Sequence, residues 1–182
     1  KKVAMEADHD IDGIMTDSPV AYSSSMLGER VTKLELPCGK VQHFEGPCGA
    51  ERLVKVELPL EVQHYEGPGG KERLVRVEGP YGHVQHFEGP RGAERVVRSE
   101  TSSGSTHHFK GQRGKERLVR INSRQGRVAY FEGQRGEERL VKVTMPSGFT
   151  MYYAGECREE EMVRVTAANG TTHHFTGGSG EG

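Results

Sequence analysis

Polar and apolar positions along this 182-residue chain follow two periods at once. The short period is two. In ERLVRVE, Glu72 to Glu78, Val75 and Val77 alternate with charged residues, and β-branched residues at alternating positions favour a strand over a helix. GPYG, Gly79 to Gly82, is a Pro-Gly turn, HVQHFE from His83 to Glu88 is the return strand, and GPRGA from Gly89 to Ala93 is the next turn. The long period shows when the chain is aligned on its Glu-Arg dipeptides and their equivalents. Units then start at Glu29, Glu51, Glu72, Glu94, Glu116, Glu138 and Glu160, with steps of 22 residues except for one of 21. A fixed period in this range signals a repeat architecture. The short step arises where ELPCGKVQHF becomes ELPLEVQHY, one residue lost from a turn, where a deletion costs least. The pattern predicts an all-β, elongated array of about seven two-stranded hairpin units over 29–182, a meander or a solenoid, preceded by a non-repeating arm, 1–28.

Sidedness follows from the short period. Val75 and Val77 share a face, and the five-residue turn brings Phe87 to it. An aromatic recurs in all seven units as Phe44, Tyr65, Phe87, Phe109, Phe131, Tyr153 and Phe175, and is expected to form the core column. Two residues after each stands a glycine, Gly46 to Gly177, expected where the backbone needs a positive φ or a close approach. One unit holds too few apolar side chains to offset the entropy of ordering it, so the units must stack. Two strands per unit at roughly 4.8 Å spacing would make a single sheet about 65–70 Å long. Such a shape offers surface and no deep pocket.

The aromatic-x-Gly core (Phe44-Glu45-Gly46, Tyr65-Glu66-Gly67, Phe87-Glu88-Gly89, Phe131-Glu132-Gly133) in a unit of just over twenty residues resembles MORN repeats. The resemblance spans 29–182 and part of the motif: the usual Gly-x-Gly of the following strand is replaced by ERLVRV. It implies β-hairpin repeats whose aromatic core fills an elongated, twisted sheet. It also implies use as a scaffold, dimerisation module or membrane-proximal adaptor. The unit is also similar to tandem arrays in predicted proteins of unicellular algae.

Composition narrows the classes. Hydrophobic content of 33%, no Trp and 25 glycines suit a thin core rich in turns, while a net charge of −1 with regularly spaced valines does not suit disorder. Cys38, Cys48 and Cys157 are an odd number without metal spacing, and are expected as small loop residues. No apolar run approaches a membrane span or a signal-peptide core. A first residue of Lys1 is expected of a processed form or fragment, and an organellar chain stripped of a transit peptide would also begin this way.

Candidate chemistry lies mostly in columns. His43, His64, His86, His108 and His174 share one, which becomes Tyr130 and Tyr152 in two units. Column neighbours two strands apart sit about 9–10 Å from one another, too far to share a zinc ion easily. Exchange for tyrosine also favours a structural part over metal or pigment ligation. Four residues after each unit start the chain is basic in all seven units: Lys33, Lys55, Arg76, Arg98, Arg120, Lys142 and Arg164. Beside this column run Glu45, Glu66, Glu88 and Glu132, interrupted by Lys110, Ala154 and Thr176. The expectation is a cross-strand ion-pair ladder between the two columns. The alternative is a basic stripe for anionic lipid or an acidic partner, sharper towards the C-terminal half. The unit Glu72 to Ala93 has three basic and three acidic residues, no excess for nucleic acid.

In the arm, DHDIDG offers Asp8, Asp10 and Asp12 at the alternate spacing of a calcium loop, the weak metal candidate of the chain. The closing glutamate's place is taken by Pro19, so an acidic solvated arm that docks or moves is the stronger expectation. Ser23 to Ser25 and Ser102-Ser103 lack a nucleophile context, and repeated histidines do not behave as singular catalytic residues. No enzyme and no cofactor are therefore expected. The sequence points to a repeat scaffold, an adaptor or peripheral subunit of a larger assembly that binds protein partners by its face and edges. Alternatives are an anionic-lipid adaptor and an accessory subunit of an organellar membrane complex, for instance an algal photosynthetic one. The compartment stays open. The Gly-rich end keeps the loop register only to Glu181, so truncation or a partner is expected there.

Overall fold

A computed structural model describes residues 30–175. The arm with Asp8, Asp10 and Asp12, the first unit start, Thr176, Gly177 and the Gly-rich end lie outside the described residues.

Fourteen strands form one antiparallel sheet in strict chain order. They are β1 (Lys33–Glu35), β2 (Val41–Glu45), β3 (Arg52–Glu57), β4 (Val62–Glu66), β5 (Arg73–Glu78), β6 (Val84–Glu88) and β7 (Arg95–Glu100), followed by β8 (Thr106–Lys110), β9 (Arg117–Asn122), β10 (Val128–Glu132), β11 (Arg139–Thr144), β12 (Thr150–Ala154), β13 (Glu161–Thr166) and β14 (Thr172–His174). The all-β hairpin meander read from the periods is the observed architecture. Among the described residues β1 and β14 each have a single neighbour, so the sheet is open.

Local chemistry sets each turn. Between β7 and β8, Thr101 N donates to Ser105 O at 2.9 Å and Gly104 N to Thr101 O at 2.9 Å. The shortened unit closes more tightly, Leu58 N donating to Glu61 O at 2.8 Å across Pro59 and Leu60. At the opposite ends of the strands, each aromatic-x-Gly corner adjoins a bulge. Arg98 pairs with His86 but Val96 with Phe87, leaving Val97 as the extra residue. Gly111 shows what its corner requires: φ is +130°, and a Cβ there would lie 2.4 Å from the Lys115 carbonyl oxygen.

Strand alternation gives the sheet two unlike faces. On the apolar face a middle row crosses every strand, through Gln42, Val56, Gln63 and Val77 to Ala129, Val143 and Met151. The described residues that are buried all belong to this row: Gln42, Val56, Ser99, Ala129 and Val143, the last 0% exposed. The aromatics from Phe44 to Tyr153 lie two residues further along on the same face and are half-buried, while Phe175 is 45% exposed. The tightest positions are thus one row away from the expected aromatic column. A middle row is flanked on both sides, by the aromatics and by turn residues such as Glu61 and His83. An outer row has one flank. Two of the middle row's polar members find partners within the face: His83 Nε2 meets Ser99 Oγ at 2.9 Å, and Tyr65 Oη donates to Gln63 Oε1 at 2.6 Å.

Candidate functional site

The Glu-Arg dipeptides that mark the units join them. Leu53 N donates to Glu72 Oε1 of the next unit at 3.0 Å, and Leu118 and Leu140 repeat the contact with Glu138 and Glu160 at 3.2 and 2.9 Å. The bulge frees a strand N–H, and the glutamate about twenty residues on accepts it. Arginines act in the same direction: Arg95, Arg117 and Arg139 donate to the corner carbonyls of Gly111, Gly133 and Gly155 at 3.0 to 3.1 Å. Arg91, Arg113 and Arg135 reach back to Gly70, Gly92 and Gly114 carbonyls one loop earlier.

The polar face carries the candidate site residues. The basic column and the histidine column, separate in sequence, merge into one row that crosses all fourteen strands. Lys33, His43, Lys55, His64, Arg76, His86 and Arg98 alternate, then His108, Arg120, Tyr130, Lys142, Tyr152, Arg164 and His174.

The expected ladder between this row and Glu45, Glu66, Glu88 and Glu132 does not form. Those glutamates face Arg52, Arg73, Arg95 and Arg139 instead, at 3.5 to 3.9 Å. The bulge inserts a residue between the two positions and moves the column cations out of register with them. The cations' partners are glutamates two residues later on the same strand. Glu35 meets Lys33, Glu57 meets Lys55 at 2.5 Å, Glu78 meets Arg76 at 3.1 Å and Glu100 meets Arg98 at 2.8 Å. The Lys55 hydrogen bond and charge hold the Glu57 carboxyl below the usual range. A cross-strand histidine joins the last three clusters: His43 Nε2 is 3.1 Å from Glu57, His64 Nε2 is 2.9 Å from Glu78, and His86 Nε2 is 3.1 Å from Glu100 and 2.9 Å from Arg98. The sequence pattern for these partners is KLE, KVE, RVE and RSE, with the acid on the cation's own face.

Beyond β8 that acid is gone. RIN, KVT and RVT put Asn122, Thr144 and Thr166 in its place. Lys142 lies 5.4 and 5.8 Å from the Tyr130 and Tyr152 ring centres, and Arg164 lies 3.7 Å from that of Tyr152. Arg120 has His108 Nε2 at 3.0 Å. Burial and the positive charges of Arg120 and Arg98 push the His108 imidazole below its ordinary pKa. From Thr101 to Gly136 eight lysines and arginines stand against two glutamates. The row's own cations therefore pass from carboxylate partners to imidazole and ring partners beyond β8, while 137–175 carries four basic residues against six acidic ones.

Among the described residues no group of three His, Cys, Asp or Glu is placed to hold a metal ion, and no helix is long and apolar enough to cross a membrane. Cys38, Cys48 and Cys157 form no disulfide. No protein-family profile and no curated protein matches the chain, so its likeness to MORN repeats rests on the aromatic-x-Gly residues themselves.

Proposed function

We propose that the chain is a non-enzymatic repeat scaffold that holds a protein partner against its polar face. The observation that carries this is the uninterrupted row from Lys33 to His174, one long side chain per strand on a single-layer sheet. Stability here comes from shared ladders and inter-unit glutamates, which leaves this row free to vary in charge. An extended acidic surface on the partner would match the row's cations beyond β8, where fixed positive charge speeds encounter and sets register. Cross-linking mass spectrometry on native lysate, comparing the wild-type chain with Lys142→Glu/Arg164→Glu, tests the reading. Cross-links to one partner that concentrate on β8 to β14 and vanish in the variant are expected. The same cross-links from both proteins would remove it.

A second reading, an adaptor for anionic membrane surfaces, is favoured by the replacement of the column's acid after Glu100 by Asn122, Thr144 and Thr166. Salt-dependent liposome binding that disappears on charge reversal of Arg98 and Arg120 would support it, and no binding at low salt would dismiss it.

A further inference from the structure

The strand pair β8–β9 breaks the charge rule of the array twice. Where four other units set a glutamate opposite an arginine, here Lys110 stands opposite Arg117. Like charges directly opposite destabilise a sheet. On the neighbouring row, the glutamate that accompanies Lys55, Arg76 and Arg98 is replaced by Asn122 beside Arg120. The backbone demands neither change, since glutamate occupies both places in adjoining units.

Between these rows runs a groove of about 540 Å³, with His108, Lys110, Arg117, Arg120, Tyr130 and Glu132 among its lining residues. Val97, Val119 and Val141, the extra residues of three bulges, line it as well. Glu132, the carboxylate of the lining, is 3.9 Å from Arg139. Glu138 acts on Arg117 from the next unit but already accepts from the Leu118 and Gly136 amides. Among the described residues no ion pair includes Lys110, Arg117 or Arg120, although Arg117 donates to the Gly133 carbonyl; Asn122 Oδ1 is buried without a partner, and so is Arg120 Nε, as are Arg76 Nε and Arg164 Nε elsewhere in the row. The preceding groove, about 470 Å³ over β6 and β7, has the same build but is rimmed by Glu88, with Glu100 on Arg98. The pair β12–β13 also lacks both acids, with Ala154 and Thr166 in their places, but there Ala154 faces Glu161, whereas β8–β9 sets two cations against each other.

We propose that the groove over β8 and β9 binds a soluble phosphorylated small molecule. Lys110 and Arg117 hold one phosphoryl group and Arg120 holds a second. Guanidinium forks match phosphoryl oxygens, and three cations outside any ion pair, beside the single lining carboxylate of Glu132, call for more negative charge than one carboxylate ligand brings. The two rows lie about 6–7 Å apart along the strand, which suits two linked phosphoryl groups better than one. This site is independent of the protein-partner reading.

Isothermal titration calorimetry of the full chain with inorganic tripolyphosphate and with orthophosphate tests it, alongside sedimentation with phosphatidylcholine vesicles containing phosphatidic acid. Tripolyphosphate should saturate a single site and bind at least about tenfold tighter than orthophosphate. Lys110→Glu, which reinstates the Glu-Arg pair, should weaken binding at least about tenfold without lowering the unfolding temperature. Asn122→Glu, a second and independent variant, should weaken binding in the same direction. Absence of saturable binding, binding to vesicles alone, or equal affinity in wild type and both variants would overturn the proposal.

Discussion

Replacing Gly111 by alanine imposes two costs that Gly114, three residues away in the same loop, separates. At Gly111 φ is +130° and the new Cβ would lie 2.4 Å from the Lys115 carbonyl oxygen and 3.1 Å from its carbon. At Gly114 φ is +74°, and no atom lies within 4 Å of the place its new methyl would take. Gly114→Ala therefore carries the left-handed backbone cost alone, about 1–2 kcal/mol. Gly111→Ala adds a more strained φ and a backbone clash, together about 2–6 kcal/mol. The oxygen it strikes belongs to a corner tied to the next bulge, so relief by local movement would disturb the β8–β9 pairing.

In a chain of this size about 1 kcal/mol shifts the melting temperature by roughly 2–4 °C. Gly114→Ala should lower it by a few degrees and Gly111→Ala by on the order of 10 °C. Circular dichroism melts of both variants measure this. Because arrays can open unit by unit, hydrogen exchange of the Arg117 to Asn122 amides supplies a second readout. Equal shifts for the two alanines, or unchanged exchange in Gly111→Ala, would refute the close-approach account of the aromatic-x-Gly corner.

Three other outcomes follow from single contacts. Arg158 takes φ +73° at a loop position that is glycine in the five preceding units, so Arg158→Gly should stabilise by about 1 kcal/mol in denaturant titrations. Glu72→Ala removes the acceptor of the Leu53 amide, and should cost about 0.5–1.5 kcal/mol and speed exchange at Leu53 ahead of its β3 neighbours. His108 has a folded-state pKa below its unfolded value, so the unfolded chain binds the extra proton first. Its contribution is intact above the ordinary histidine pKa and is lost as pH falls through that value towards the depressed one. Melting temperatures should therefore fall more between neutral and mildly acidic pH in the wild type than in His108→Gln.

Strands, turns and the repeat were legible because they depend on local chemistry. A period of two, Pro-Gly pairs and a spacing of 22 survive without knowledge of neighbours, and even the deletion at Pro59-Leu60 falls where turns tolerate it. The identity of each cation's partner was not legible. Lys55 and Glu45 sit in adjacent columns by sequence, yet Val54 is the extra residue of a bulge, so Glu45 faces Arg52. A one-residue shift reassigns every such pair, and register is a property of two strands together. Burial was hidden for a related reason. Side-chain size pointed to Phe87, but exposure depends on lateral place within the face, which protects the small Ser99 more fully.

Exchange of histidine for tyrosine, taken alone, suggests a column without demands. Its context on the polar face gives it a different meaning. Where Glu57, Glu78 and Glu100 hold the cation, the cross-strand member is His43, His64 or His86. Where threonine replaces the acid, the cross-strand member is Tyr130 or Tyr152, and the cation rests on a ring. The two changes go together: carboxylate and imidazole form one way to hold a cation, threonine and phenol another. Arg120 falls at the junction. It has Asn122 in place of the acid and His108 as its earlier neighbour, and among the described residues it has neither an ion pair nor a ring contact. The junction coincides with the inverted pair Lys110 and Arg117, so the least compensated positive charge of the face collects over two strands. An array of near-identical units presents a distinct surface only where a unit departs from the rule, and here two departures coincide in one groove.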